Sequence, residues 1–226
     1  MTNAKKQRSR GKRMLITAAW LLLVPAAGAA IVYGPDLVNL VQLGREVEQI
    51  SGEQTRIAGP WPRTTDACIG CHGEQGNARA QTYPRLAGQP EAYLRAQLLA
   101  FASGERSDPT MTPLALSMTD HELESIASHF AKMKPLPNTT FTADPAGIVR
   151  GETLAKANNC ASCHGQALEG KDAYPRLAGQ GYDYLRDQLM RFKDGTRRDA
   201  TGAMQALTTG LSQKDIEDLA QYMASR

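Results

Sequence analysis

Two stretches hold residues whose types and spacing can do chemistry: Cys68-Ile69-Gly70-Cys71-His72 and Cys160-Ala161-Ser162-Cys163-His164. Both read C-x-x-C-H, the pattern for attaching a c-type haem. Two thiols three positions apart can each form a thioether with a haem vinyl group, and the adjoining histidine can then bind the iron. These motifs use all four cysteines, so no thiol is left for a structural disulfide. A zinc ribbon places its cysteine pairs ~15–20 residues apart, whereas 88 residues separate Cys71 from Cys160. A redox C-x-x-C of the thioredoxin kind needs a preceding strand and a βαβ context, which the sequence lacks. The expected cofactors are therefore two covalently bound haem c groups, held through Cys68, Cys71, Cys160 and Cys163.

A haem bound by histidine on one side is either closed by a second protein ligand or left open to a substrate, and that choice separates a carrier from an enzyme. An internal repeat supplies candidates. Tyr83-Pro84-Arg85-Leu86-Ala87-Gly88-Gln89 returns unchanged at 174–180. An offset of 93 aligns the two final helical segments and superimposes Met111 on Met204. It also places Met118 on Leu211, an ordinary core position. Methionine is commonly a gap-filling core residue, and Met14, Met118, Met133, Met190 and Met223 need no other role. Met111 and Met204 are expected in loops between helices, as axial ligands opposite His72 and His164. His121 and His129 have no counterpart in the second copy and read as polar surface. The ligating histidine needs a partner for its other ring nitrogen, and the carbonyls of Pro84 and Pro175 are the candidate acceptors. Arg85 and Arg176, with Arg106 and Arg197, are candidates for pairing with haem propionates, because each recurs at an equivalent place.

The elements that position these residues are helical. After each repeated heptapeptide comes an amphipathic run, with Leu94, Leu98 and Phe101 in the first copy and Leu185, Leu189 and Phe192 in the second. Gly104 and Gly195 follow at the expected helix ends. Thr119 with Glu122, and Ser212 with Asp215, open a last helix in each copy with a capping-box pattern. Pro135, Pro137 and Asn138-Thr139-Thr140 read as a linker. Asp144 to Asn158 can form a helix before the second motif, but only Pro62 to Ala67 precede the first. That helix is expected to be truncated there, or replaced by residues 36–50. Each copy is small enough for an apolar core alone to be marginal, so a buried porphyrin would supply the missing apolar volume.

The chain has 226 residues and a formal charge of +3, but six basic residues lie within positions 5–13. The remainder holds 20 basic against 23 acidic groups, which gives no reason to invoke nucleic acid. Positions 14–33 carry no charge and have the length of a bilayer-spanning helix. With the basic run before them, they predict an inner-membrane anchor, with the N-terminus cytoplasmic and the remainder periplasmic. The competing reading is a cleaved signal peptide ending near Ala27-Gly28-Ala29, which would release a secreted soluble form. The expected divisions are 1–35 for the basic tail and transmembrane anchor, 36–62 for a second helix opened by Pro35 and a linker, 63–134 for domain 1, 135–143 for the interdomain linker, and 144–226 for domain 2.

Taken together, two C-x-x-C-H units, each followed by Y-P-R-L-A-G-Q, a Y-L-x-x-Q-L-x-x-F helix, G-x-R and a later methionine, closely resemble the di-haem cytochrome c4 family from about Asp66 onwards. The resemblance implies an all-α fold of two tandem class I cytochrome c domains in a pseudo-twofold arrangement, here preceded by one transmembrane helix. It further implies haem propionates near the domain interface and a periplasmic electron carrier without an active site. Its implied donor is a cytochrome bc-type complex or a dehydrogenase, and its implied acceptor a haem-copper oxidase. Two other readings remain open at this level: a fixed cytochrome subunit of a larger complex, and a di-haem oxidoreductase of the peroxidase or thiosulfate-oxidising type.

Overall fold

Capping chemistry and apolar periodicity put helices where the repeat leads one to expect them. The computed structural model describes residues 2–58 and 64–226. The chain divides into two units, Met1–Trp61 and Pro62–Arg226. Among the described residues the only β contact is an isolated bridge between Lys171 and Tyr174.

The first unit contains one helix, α1 (Thr2–Ala58, 57 residues). Pro35 therefore does not open a separate helix, and Gly52 to Ala58 are helical rather than linker. The stretch after Pro35 supplies Leu, Gln, Glu and Arg, residues that lose little on entering a helix. Residues 59–63, which include the end of the expected linker, lie outside the described residues. Among the described residues no helix is long and apolar enough to cross a membrane. This overturns the expected inner-membrane anchor and the tethered localisation drawn from it.

The second unit holds the repeat twice. Its first half runs from a 3₁₀ turn (Thr64–Cys68) through α2 (Ile69–His72), α3 (Glu91–Ser103), α4 (Met111–Leu116) and α5 (Asp120–Lys132). The second half comprises α6 (Pro145–Ala157), α7 (Ala161–His164), α8 (Tyr182–Asp194), α9 (Ala203–Thr209) and α10 (Gln213–Ala224). Both capping boxes form, at Thr119 with Glu122 and at Ser212 with Asp215. Gly104 and Gly195 end α3 and α8 with φ of 78° and 79°, a conformation glycine adopts without steric cost. Leu94, Ile126, Ala127 and Phe130 centre one core, and Leu185, Leu189, Ile216, Leu219, Ala220 and Met223 the other.

The halves differ before their motifs. Asp144 accepts hydrogen bonds from the Ala146 and Gly147 N–H groups and starts α6. This helix crosses α10 so closely that Gly151 abuts the Asp218 backbone. In the first half the described residues ahead of Cys68 make only the 3₁₀ turn. At the crossing, the Asp218 side chain is 2% exposed and accepts from Arg150 Nε (2.7 Å) and Lys214 Nζ (2.7 Å). The hydrogen bonds from Arg150 lead in holding its carboxyl below the usual aspartate range, with Lys214 adding to them. A carboxyl with a depressed folded-state pKa stabilises fully above its unfolded value of ~3.9, and that contribution is lost as pH falls through the folded value. Asp218→Asn should therefore lose about 2 kcal/mol at pH 7 and show a flatter loss of stability below about pH 4 than the parent. Denaturant titrations across pH check both parts.

Candidate cofactor site

Each C-x-x-C-H segment folds as a single helical turn, which carries its histidine inward. His72 and His164 are both 7% exposed. The loop after each motif is pinned by its own backbone. Leu86 and Ala87 donate to Gly76 O (2.8 and 3.1 Å), and Leu177 and Ala178 donate to Leu168 O (2.9 and 3.0 Å). Gly88 N–H then donates to Phe130 O (3.0 Å), and Gly179 N–H to Met223 O (2.9 Å), which ties each loop to its last helix.

These loops bring His72 Nδ1 to 2.8 Å from Pro84 O, and His164 Nδ1 to 2.8 Å from Pro175 O. A carbonyl can only accept, so Nδ1 carries the proton and Nε2 is the ring nitrogen with a free lone pair. Burial pulls both histidines below their ordinary pKa against the opposing pull of these carbonyls, which favours the neutral, ligating form. Burial also pushes the Cys68 and Cys160 thiols up. A raised thiol pKa is the reverse of what a redox C-x-x-C needs.

His72, His164, Met111 and Met204 all line one cavity of about 1230 Å³, together with Cys160, Cys163 and apolar side chains that include Leu94, Phe101, Leu185 and Phe192. The methionines stand at the starts of short helices rather than in loops. Met111 is the first residue of α4 and Met204 the second of α9. Each is braced by an aspartate: Asp108 Oδ1 accepts from Met111 N–H (2.9 Å), and Asp199 Oδ1 from Met204 N–H (3.0 Å). Sequence reasoning missed this pair, although the recurrence of an aspartate ahead of each methionine was available as a signal.

The arginines separate into two classes. Arg85 Nη2 donates to Leu136 O (2.6 Å) and Asn77 Oδ1 (3.1 Å), so its guanidinium holds the 135–143 segment. Arg176 Nε donates to Ala178 O (3.1 Å). Arg106 and Arg197 instead meet at the waist of the cavity, where the halves join. The 135–143 segment is strapped down by further bonds, including paired amides of Gln81 and Asn138. His121 is exposed and His129 lies edge-on to Phe130 at 5.0 Å.

The join between halves is reciprocal. Gln180 Oε1 accepts from Arg85 N–H (2.6 Å) and its Nε2 donates to Arg85 O (2.9 Å), while Gln89 makes the same two bonds to Arg176 (2.9 and 2.8 Å). Such mutual contact is what a twofold-related pair of domains requires.

A single ligand pocket typically measures ~300–1,000 Å³. One cavity above that range, with a neutral histidine and a methionine contributed by each half, fits two large planar apolar groups. The Cytochrome c family model matches residues 148–226. Cytochrome c4 of Thiocapsa roseopersicina is 33% identical over 172 residues, spanning 71% of this chain and 88% of that protein. A thiosulfate dehydrogenase electron acceptor of Stutzerimonas stutzeri is 32% identical over 199 residues, spanning 83% of this chain and 92% of that protein. The crystal structure of reduced recombinant cytochrome c4 from Pseudomonas stutzeri superimposes with a TM-score of 0.66 at 33% identity, covering 71% of this chain and 94% of that one. The two C-x-x-C-H motifs thus carry two covalent haem c groups on class I cytochrome c folds. With the motifs, the paired histidines and the shared cavity agreeing, the chain belongs to the cytochrome c4 family.

Proposed function

We propose that this electron carrier passes single electrons through two six-coordinate haems, one held by His72 and Met111 and the other by His164 and Met204, between periplasmic redox partners. The haems supply the one-electron chemistry when bound. The chain's own part is to hold each imidazole neutral through Pro84 or Pro175, to fix each methionine through Asp108 or Asp199, and to keep water from the cavity. The observation that carries the reading is the cavity itself, because one continuous apolar space lined by both histidine–methionine pairs suits transfer between neighbouring centres. Histidine–methionine ligation favours relatively high potentials. A dehydrogenase suits the donor side, in keeping with the name of the Stutzerimonas stutzeri relative. A cytochrome bc-type complex is the other donor class, and a haem-copper oxidase the acceptor. Partners of this kind bind transiently over small patches.

The test is spectroscopic. The oxidised holoprotein should show a methionine-to-iron charge-transfer band equivalent to two haems, and Met204→Ala should lose half of it. An unchanged band would sink the assignment of Met204. Stopped-flow reduction by a purified dehydrogenase, followed by oxidation with a haem-copper oxidase, tests the proposed order of partners.

A further inference from the structure

At the waist of the cavity, two cations share the same two acceptors. Arg106 donates to Gln97 Oε1 (2.8 Å), Gln188 Oε1 (2.9 Å) and Tyr184 OH (3.0 Å). Arg197 donates to Gln188 Oε1 (2.7 Å), Gln97 Oε1 (3.0 Å) and Tyr93 OH (3.2 Å). Each guanidinium also lies 4.5 Å from the centre of a phenylalanine ring of its own half, Phe101 for Arg106 and Phe192 for Arg197. Arg197 is 8% exposed. Among the described residues no carboxylate accepts from either guanidinium. The nearby Asp187 is engaged by Arg191 Nε and Gln188 Nε2, and Asp108 by the N–H groups of Thr110 and Met111.

Two like charges bridged by neutral carboxamides in a low-dielectric site repel, and burying them is costly unless anions complete the site. The local phenols already respond. Burial drives the Tyr184 phenol upward but Arg106 and Arg197 outweigh it and hold it down at about 8, while burial pushes Tyr93 up. The anions that enter this cavity with its cofactors are haem carboxylates.

We infer that Arg106 and Arg197, locked together through Gln97 and Gln188, form one cationic seat common to both halves, so that the charge state at either haem sets the reduction potential of both. Each arginine is a positioning and electrostatic residue that belongs to neither haem alone, because each is held by side chains of both halves. This inference rests on the haem-carrier reading and adds the coupling between the two centres.

An oxidised haem carries one more positive charge than a reduced one. Taking a cation away from its carboxylates therefore favours oxidation and lowers the potential. Arg197→Gln and, separately, Arg106→Gln should each lower both waves of a spectroelectrochemical titration of the holoprotein, by about tenfold in each reduction equilibrium, or about 59 mV for one electron. Gln97→Glu, nearly the same in shape, puts a carboxylate between the guanidiniums and should also lower both waves. It keeps the test open if an arginine variant fails to fold. Arg197→Lys keeps the charge and should hold both waves near the parent. The methionine charge-transfer band, recorded on the same samples, reports separately on axial ligation. Variants with both bands intact in which one wave moves alone, or neither moves, overturn the shared seat while leaving the carrier reading in place.

Discussion

Gly151→Ala is expected to destabilise the second half by about 3 kcal/mol or more, at the upper end of what overpacking costs. A Cβ on Gly151 would run into the Asp218 carbonyl group and lie 2.7 Å from Tyr222 Cβ. The atoms it meets are mostly backbone, so no side-chain rotation makes room, and α6 would have to lift from α10. That motion would pull Arg150 from Asp218 and open the core around Ala155, Leu219 and Met223. Thermal unfolding should show the loss. Gly210→Ala, at a position with φ of −82° and open space where the Cβ would go, is the control in the same half and should be close to neutral. A Gly151→Ala variant as stable as the parent would mean that the two helices do not cross this closely.

The double variant Gln89→Leu/Gln180→Leu is expected to separate the two halves energetically. Both side chains are 4% exposed, and each satisfies the backbone N–H and C=O of an arginine in the opposite half. Leucine fills similar volume but leaves those two groups unpaired at each position, at about 1–3 kcal/mol per buried group. Calorimetry should resolve two transitions in place of one, each half retaining its own core. Each single variant should cost less than half of the double variant's loss, because one intact glutamine still holds the register. Additive single costs with one retained transition would show that the glutamines do not couple the halves.

Much of this molecule was legible in the sequence because its repeat duplicates chemistry, and two copies expose what one conceals. The C-x-x-C-H segments, the helices after them, both capping boxes and the glycine helix ends follow from local rules of covalent chemistry, periodicity and backbone sterics. The recurrence of Met111 at Met204 was readable in the same way, although their places at helix starts were not. Those places depend on Asp108 and Asp199, whose value appears only when the loop closes on itself. The uncharged run at 14–33 led to an expected anchor, but among the described residues no helix is long and apolar enough to cross a membrane.

By itself the sequence determined the cofactor class, the number of haem sites, the all-helical repeat and the family resemblance, because these rest on residue types at short, fixed spacings. Only the tertiary structure decided what the repeated arginines and glutamines touch. Arg85 holds the segment between the halves, Arg106 and Arg197 share acceptors across the waist, and Gln89 and Gln180 fasten the halves together. Arg85 reaches Leu136, 51 positions on, and the contacts between halves join residues 78 to 104 positions apart; no local rule of propensity or spacing reaches that far. They arise when two similar halves meet face to face, so that a side chain repeated in sequence finds its partner in the opposite copy.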